Sequence, residues 1–592
     1  MIAFQEKNDG WQIDLTAYGM TFNEFSDYFT KLSQKNYSFP ISLELDDDLS
    51  EKLGLVDIEN VTDYKIRIEG YLIVDNTFYE TYMLINEEEG GKVELSFFYG
   101  DEILSVFNKY LHQLPFPIID ASDIGLNAFS QLQLSREWPQ ATHNFPKVYR
   151  PQLKESENYN DFLGWVNNRA GNAFKSNSLD NTADGFVARN YNVVCPMPYL
   201  LEILRVGFAT EGKQLRGEFV EDAAIRKTVI IPQKFFEYYS DPNQRYYWQF
   251  SKTSLEHFID GEIRRIHELT RYPTKNGTYT LEIKLNIPKN VFTYFNMTVT
   301  HGTETVLDII VKNDAVILDR TLEFNVVNDD FSAITVGLQT SDTQRSIEDY
   351  NSFKFDYTEG KLNEFPEVYS LADIMPDMLF RTFYNAVKEF YNLDATFVQN
   401  AVYLNYLDNS MQKLVYDDHT EYQIKKPTRK LGVNNLFKLT YPDESQILIN
   451  KNGVTYNEDE YSDSETTVID FSILPVNVVQ NEDVLTGVHP ENENELLIGI
   501  YDGLQNSEAL LLKSYAGRDH SIESIYENHH KHFIRYRANA EVVKEKFTMS
   551  VHEPFNLKKG SFKYNKKHLI KTLVKRRIGK NLWQVEAEME SF

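Results

Sequence analysis

Three histidines stand within seven residues, His529, His530 and His532 in ENHHKHF. Two imidazoles on one side of a strand or turn could hold a transition metal, and three protein ligands would suit a catalytic zinc. No HExxH or comparable carboxylate pattern accompanies them, so they are expected to be solvated loop or interface histidines and not a metal site. Acids also cluster, as Asp46, Asp47 and Asp48, as Asp329 and Asp330, and as Asp417 and Asp418 beside His419. The first lacks the spacing and central glycine of a calcium loop. With 88 acids in 592 residues, adjacency of two carboxylates points to a solvated face before it points to acid/base chemistry.

Cys195, the single cysteine, follows Val193-Val194 and precedes Pro196, a setting that suits a buried packing role and excludes an intrachain disulfide framework. GxSxG, GxGxxG, phosphate-binding glycine loops and the kinase motifs are absent, so no cofactor and no enzymatic activity is expected. Two segments remain that could recognise a partner. FFEYYSDPNQRYYWQF offers Tyr246, Tyr247 and Trp248 either as a platform for sugar rings or as interface aromatics. From Lys558 to Lys580 the chain carries ten Lys and Arg and no acid, including Lys571, Lys575, Arg576, Arg577 and Lys580. On a chain of net charge −28, such a patch is expected to seek an acidic neighbour in an assembly ahead of nucleic acid.

The elements that must position these residues are mostly strands. Aromatics make up 14% of the chain, and Tyr and Phe favour strands and interfaces. DYKIRIEGYLIV, FYETYMLIN and KVELSFFYG alternate on a two-residue period with polar turns between them, which predicts an antiparallel meander. FNEFSDYFTKL and DEILSVFNKYL on either side read as helices, giving a barrel-like unit over 1–115. Residues 116–190 are polar, with isolated anchors such as Trp138 and Trp165, and read as an extended irregular segment. In 191–274, Leu200, Leu201, Leu204 and Phe208 form a helical stripe before the strand QLRGEFV. Short alternating runs over 275–358 predict an inserted antiparallel β-sandwich. The helix–strand design recurs in 359–465, where Leu379, Phe383, Val387 and Phe390 share a face and DATFVQ and AVYLNYL form a hairpin. A β-rich region with the basic segment closes the chain over 466–592. The class expected is α+β, strongly β-rich. No apolar run reaches the roughly 18 residues of a membrane span, and the opening MIAFQEKNDGWQIDL lacks the basic-then-apolar order of an export signal, so a soluble chain is expected.

The strands IRIEGYLIV, FYETYMLIN and KVELSFFYG, then CPMPYLLEILRVGFATEGKQLRGEF, ADIMPDMLFRTFYNAVKEFYNLDATF and the closing HEPFNLKKG with FKYNKKHLI, resemble in type and order tail-tip, baseplate hub-like structural proteins of bacteroidete tailed phages and prophages. That resemblance implies barrel-like hub domains with packed helices, a homotrimer at the distal end of the tail tube, and a place in the virion after synthesis in the host cytoplasm. It implies partners in the tail tube or distal tail and in a spike or receptor-binding protein, with the sandwich a decoration that could touch host-surface glycans. A carbohydrate-binding or carbohydrate-active protein, and a hub component of a tail-derived injection system, are the alternatives.

Overall fold

A computed structural model describes residues 1–26, 28–29, 36–56, 58, 66–75, 77–99, 104–150, 162–182, 185–189, 191–232, 246–248, 255–259, 262–273, 277–289, 291–326, 331–341, 351–358, 366–398, 400–431, 435–455, 466–481, 484–488, 496–553, 555, 557–579 and 581–591. Strands dominate and most pair antiparallel, as the alternation predicts; among the described residues none of the sheets closes into a barrel. The described apolar residues gather in three cores.

The first core belongs to a sheet built from both ends of the chain. Its N-terminal strands are β1 (Ile2–Glu6), β2 (Gln12–Asp14), β3 (Thr21–Phe25), β4 (Asn36–Ser38), β5 (Ile41–Glu44), β6 (Arg67–Val74), β7 (Thr77–Glu89) and β8 (Lys92–Tyr99). Its C-terminal strands include β9 (Thr428–Lys430), β10 (Glu541–Ser550), β11 (Lys566–Gly579) and β12 (Leu582–Ser591). The order along the sheet is β2-β1-β6-β7-β8-β4-β3-β11-β12-β10-β9. The predicted meander is β6–β7–β8. Met83, Ile85, Val93, Leu95 and Phe97 point inward with Ile570, Leu573, Val585 and Met589 from the far end of the chain. Gly70 is required on β6, because a Cβ there would lie 2.2 Å from the Gln5 carbonyl and 2.6 Å from the Phe4 ring on β1.

Two helix expectations fail here. Residues 21–25, which overlap the start of the expected helix FNEFSDYFTKL at 22–25, form β3, which pairs with β11 from Thr21↔Arg576 to Phe25↔Thr572. A waiting partner edge outweighs a helical spacing of aromatics, since a ladder supplies both backbone bonds and side-chain packing. In DEILSVFNKYL the described part is two short 3-10 turns, Ser105–Asn108 and Leu111–Gln113. The expected barrel over 1–115 is therefore an open sheet, and it continues into residues 541–591.

The second core holds the two helix–strand units, and they pack on each other. Helix Leu200–Ala209 lies against helix Phe380–Phe390, where Phe208 and Phe380 meet at 5.2 Å. Strand Gln214–Arg216 runs parallel to Ala401–Tyr403 of the Leu393–Tyr406 hairpin. The described part of 116–190 joins this core, with Trp138, Val148, Val166 and Phe174 buried. Its irregular backbone is satisfied by asparagines: the Asn167 side chain donates to the carbonyls of Pro146 (2.9 Å) and Cys195 (2.8 Å) and accepts from the Cys195 amide (2.8 Å). The third core is the sandwich. One sheet has the order 246–248, 351–358, 277–287, 316–326, and the other 255–259, 262–271, 334–341, 294–301, 304–312. Leu281, Ile283, Met297, Val299, Val336 and Phe353 interdigitate between them. Its strands thus begin at Tyr246, upstream of the expected start at 275.

Candidate interaction surfaces

The basic segment is a strand inside the terminal sheet, not a free patch. Lys575 Nζ lies 2.8 Å from Glu24 of β3, and Arg577 Nη1 lies 2.8 Å from Asp75. Lys571 Nζ is 3.0 Å from Glu588 of β12, and Lys566 Nζ is 2.6 Å from Glu541 of β10. Arg577, 9% exposed, also lies over the Trp583 ring. Arg576 is exposed. Lys580 lies outside the described residues. Adjacent strands carry the opposite charges, so most of the positive charge expected to reach a neighbouring molecule is met within the chain.

The histidine cluster is likewise internal. A helix runs from Ile522, passes through a π-turn at Tyr526–His530, and continues as Lys531–Asn539. His529 and His530 are buried. His530 Nε2 donates to the Phe390 carbonyl at 3.0 Å, and the His529 ring stacks on Tyr406 at 5.0 Å. Asp408 accepts from the backbone amides of His532 and Phe533, both at 3.0 Å. No cluster of three metal-binding side chains occurs among the described residues. Burial pushes His529 down to about 3 and His530 down to about 4, so both are neutral at ordinary pH. Beside them Asp222 takes a fork from Arg518 (2.7 and 2.5 Å) and a bond from the Tyr406 hydroxyl (2.7 Å). Burial works to raise the Asp222 carboxyl, but these donors outweigh it and hold the group below its ordinary value.

The remaining candidates have structural roles where they are described. Asp46 caps helix Asp47–Leu53 by accepting from the Leu49 amide at 2.8 Å. Asp417 pairs with Lys559 at 2.9 Å, and Asp418 accepts from the Thr420 amide at 3.0 Å. Cys195 is fully buried, and burial pushes its thiol far above the ordinary range. Asp329 and Asp330 lie outside the described residues. Tyr246, Tyr247 and Trp248 form an edge strand of the sandwich's four-stranded sheet, opposite Phe355, Lys354 and Phe353. A cavity of about 480 Å³ between Glu218, Asp394, Asn405, Lys413 and Lys558 is polar, and Glu218 already bonds Lys413 at 2.7 Å.

One surface feature escaped sequence reasoning. On the terminal sheet, the face opposite the core carries a row in register across five strands: Asn23 on β3, Tyr37 on β4, Phe98 on β8, Tyr82 on β7 and Glu69 on β6. Asn23 Nδ2 donates to the Tyr37 hydroxyl at 2.8 Å. Tyr37 and Phe98 are 6.3 Å apart, Phe98 stacks on Tyr82 at 5.1 Å, and the Arg67 guanidinium sits 4.0 Å over the Tyr82 ring. Phe25 and Phe39 flank Tyr37 at 6.2 and 5.7 Å, and Phe39 is 44% exposed. The alternation in KVELSFFYG holds the signal, since Phe98 lies between the inward Phe97 and Tyr99, but the row exists only once register is set.

No family model and no curated protein matches the chain. Among solved structures, similarity extends to one described as "CBM4 structure and function" (12% identity, 20% of this chain, 86% of that chain, TM-score 0.11). It extends also to the TmCBM61 complex with β-1,4-galactotriose (8% identity, 22% of this chain, 99% of that chain, TM-score 0.12). A third likeness is to the VP2 subviral particle of infectious bursal disease virus (9% identity, 52% of this chain, 67% of that chain, TM-score 0.11). At these TM-scores the likenesses carry no argument about function.

Proposed function

We propose that this chain is a structural, non-catalytic protein of the tail-tip or baseplate-hub kind, working in the virion as a homo-oligomer that seats other tail proteins. The observation that carries the reading is the aromatic row on the outward face of the terminal sheet. Tyr and Phe are the side chains enriched at the centres of protein interfaces, and a sheet that merely faced water would show polar residues at those positions. The order of helix–strand units supports the same reading through the resemblance. In a hub, the row would receive a tail-tube, distal-tail or spike protein, and three copies would surround the tail axis.

Light scattering of the full chain, and mass spectrometry of purified phage particles, test this directly. A multimer present in particles is expected; a strictly monomeric chain absent from particles refutes it. Tyr37→Ser with Phe39→Ser should weaken retention of the chain in particles by about tenfold, and unchanged retention would remove the row from the argument. Glycan binding by the sandwich is a second reading, favoured by the edge position of Tyr246, Tyr247 and Trp248. A glycan array that responds to the full chain and not to its triple alanine variant would support it, and a silent array would end it.

A further inference from the structure

The main strand order of the terminal sheet ends, among the described residues, in β2 and β9, and the charges at these two edges are opposite. At one end, β2 pairs with β1 and, among the described residues, with no other strand. The Glu6 amide donates to the Trp11 carbonyl (2.9 Å) and the Leu15 amide to the Ile2 carbonyl (2.8 Å). Because bonded and non-bonded pairs alternate along an antiparallel ladder, Gln12 and Asp14 turn their backbone amides and carbonyls away from β1. Those groups have no partner among the described residues. Asp9, Gln12 and Asp14 are exposed there, while the nearby Lys7 ammonium is taken by Glu80 at 2.9 Å.

At the other end, β9 pairs with β10 and, among the described residues, with no other strand. Around it KKPTRKL presents Lys425, Lys426, Arg429 and Lys430 on exposed chain, followed by Leu431 at 73% exposure. Glu541 takes Arg429. Lys425, Lys426 and Lys430 form no ion pair among the described residues, although the segment sits on a protein of net charge −28.

We propose that the basic β9 edge of one copy docks on the acidic β2 edge of the next, continuing the sheet between copies of this chain. Lysines on an edge repel a second copy of the same edge, so the charges select head-to-tail addition over like-to-like pairing. Each copy uses each edge once, which is the pattern of a heterologous interface that closes into a ring. The proposal rests on the self-assembly reading above and names its contact.

Two measurements on the full chain test it. Gln12→Cys together with Lys430→Cys should give multimers on mild oxidation that thiol reductant dissolves, whereas each single variant should not; the native Cys195 is fully buried and stays silent. Lys425→Glu, Lys426→Glu and Lys430→Glu together should raise the concentration needed for assembly about tenfold, as should Asp9→Lys with Gln12→Lys. Mixing the charge classes in one chain should restore assembly, a rescue that misfolding would not produce. Multimers that survive both charge reversals and yield no cross-link overturn the edge contact while leaving self-assembly intact. A wild-type chain that stays monomeric overturns both.

Discussion

Acidification from pH 7 to 5.5 should remove about 5 kcal/mol from the folding stability of the central core. Four imidazoles set this figure; one of them, His520, packs on Phe390 and Tyr391 and is pushed down to about 4 by burial. His143 is buried against Phe145 and Tyr369, whose hydroxyl lies 2.6 Å from His143 Nε2, and burial pushes it down to about 3. His529 and His530, at about 3 and about 4, lie in the same core, with Asp222 and Arg518 the charged groups nearest His529. In the unfolded chain each titrates near 6.5. Below that value the unfolded state binds protons that the folded state refuses. The stabilisation is therefore complete above about pH 6.5 and drains as pH falls toward the folded values of 3 to 4. Between pH 7 and 5.5 each group contributes slightly over ~1 kcal/mol, a large part in sum of a typical 5–15 kcal/mol. Most carboxylates titrate below this window, which isolates the histidines. Denaturant midpoints followed by tyrosine and tryptophan fluorescence at several pH values in that range would measure the slope. His530→Gln keeps a donor for the Phe390 carbonyl and cannot titrate, so it should flatten the slope by about a quarter. Equal midpoints at pH 7 and 5.5 would refute the burial argument.

Two substitutions probe the packing. Gly207→Ala would place a Cβ 2.2 Å from the Phe380 ring, where helix Leu200–Ala209 crosses helix Phe380–Phe390. The helix-propensity gain of about 1 kcal/mol is smaller than an overpacking cost of about 1–3 kcal/mol, so calorimetry should show a lower Tm, restored in part by Phe380→Leu. Lys563 and Glu545, both 0% exposed and 2.5 Å apart, form an ion pair inside the terminal sheet. Lys563→Met alone should cost about 3–5 kcal/mol in denaturant unfolding by stranding a buried carboxylate, and adding Glu545→Leu should recover most of it.

The elements legible in the sequence were those whose signal is local. The β6–β8 meander and the sandwich show a period of two, and the stripes at 200–208 and 380–390 show the helical period, because each element must turn one face to a core wherever that core lies. The aromatic composition anticipated strands. Residues whose partners are distant in sequence were misread. Lys575 and Arg577 read as a free basic patch because their neighbours in the chain are cations, whereas Glu24 and Asp75 lie hundreds of residues away. His529 and His530 read as solvated because the apolar surroundings that bury them, Phe390, Tyr406 and Phe471, come from other elements. Residues 22–25 read as helix because the edge of β11 that claims them is encoded near the other terminus.

The sequence by itself determined that the chain is rich in strands, which residues face inward along each of them, and where the paired helix–strand units lie. Only the tertiary structure decided that the two ends share one sheet, that its positive strand is neutralised from within, and that a row of aromatics crosses its outer face. Periodicity is written into consecutive residues, but charge pairing, burial of polar groups and cross-strand register depend on which distant segments become neighbours.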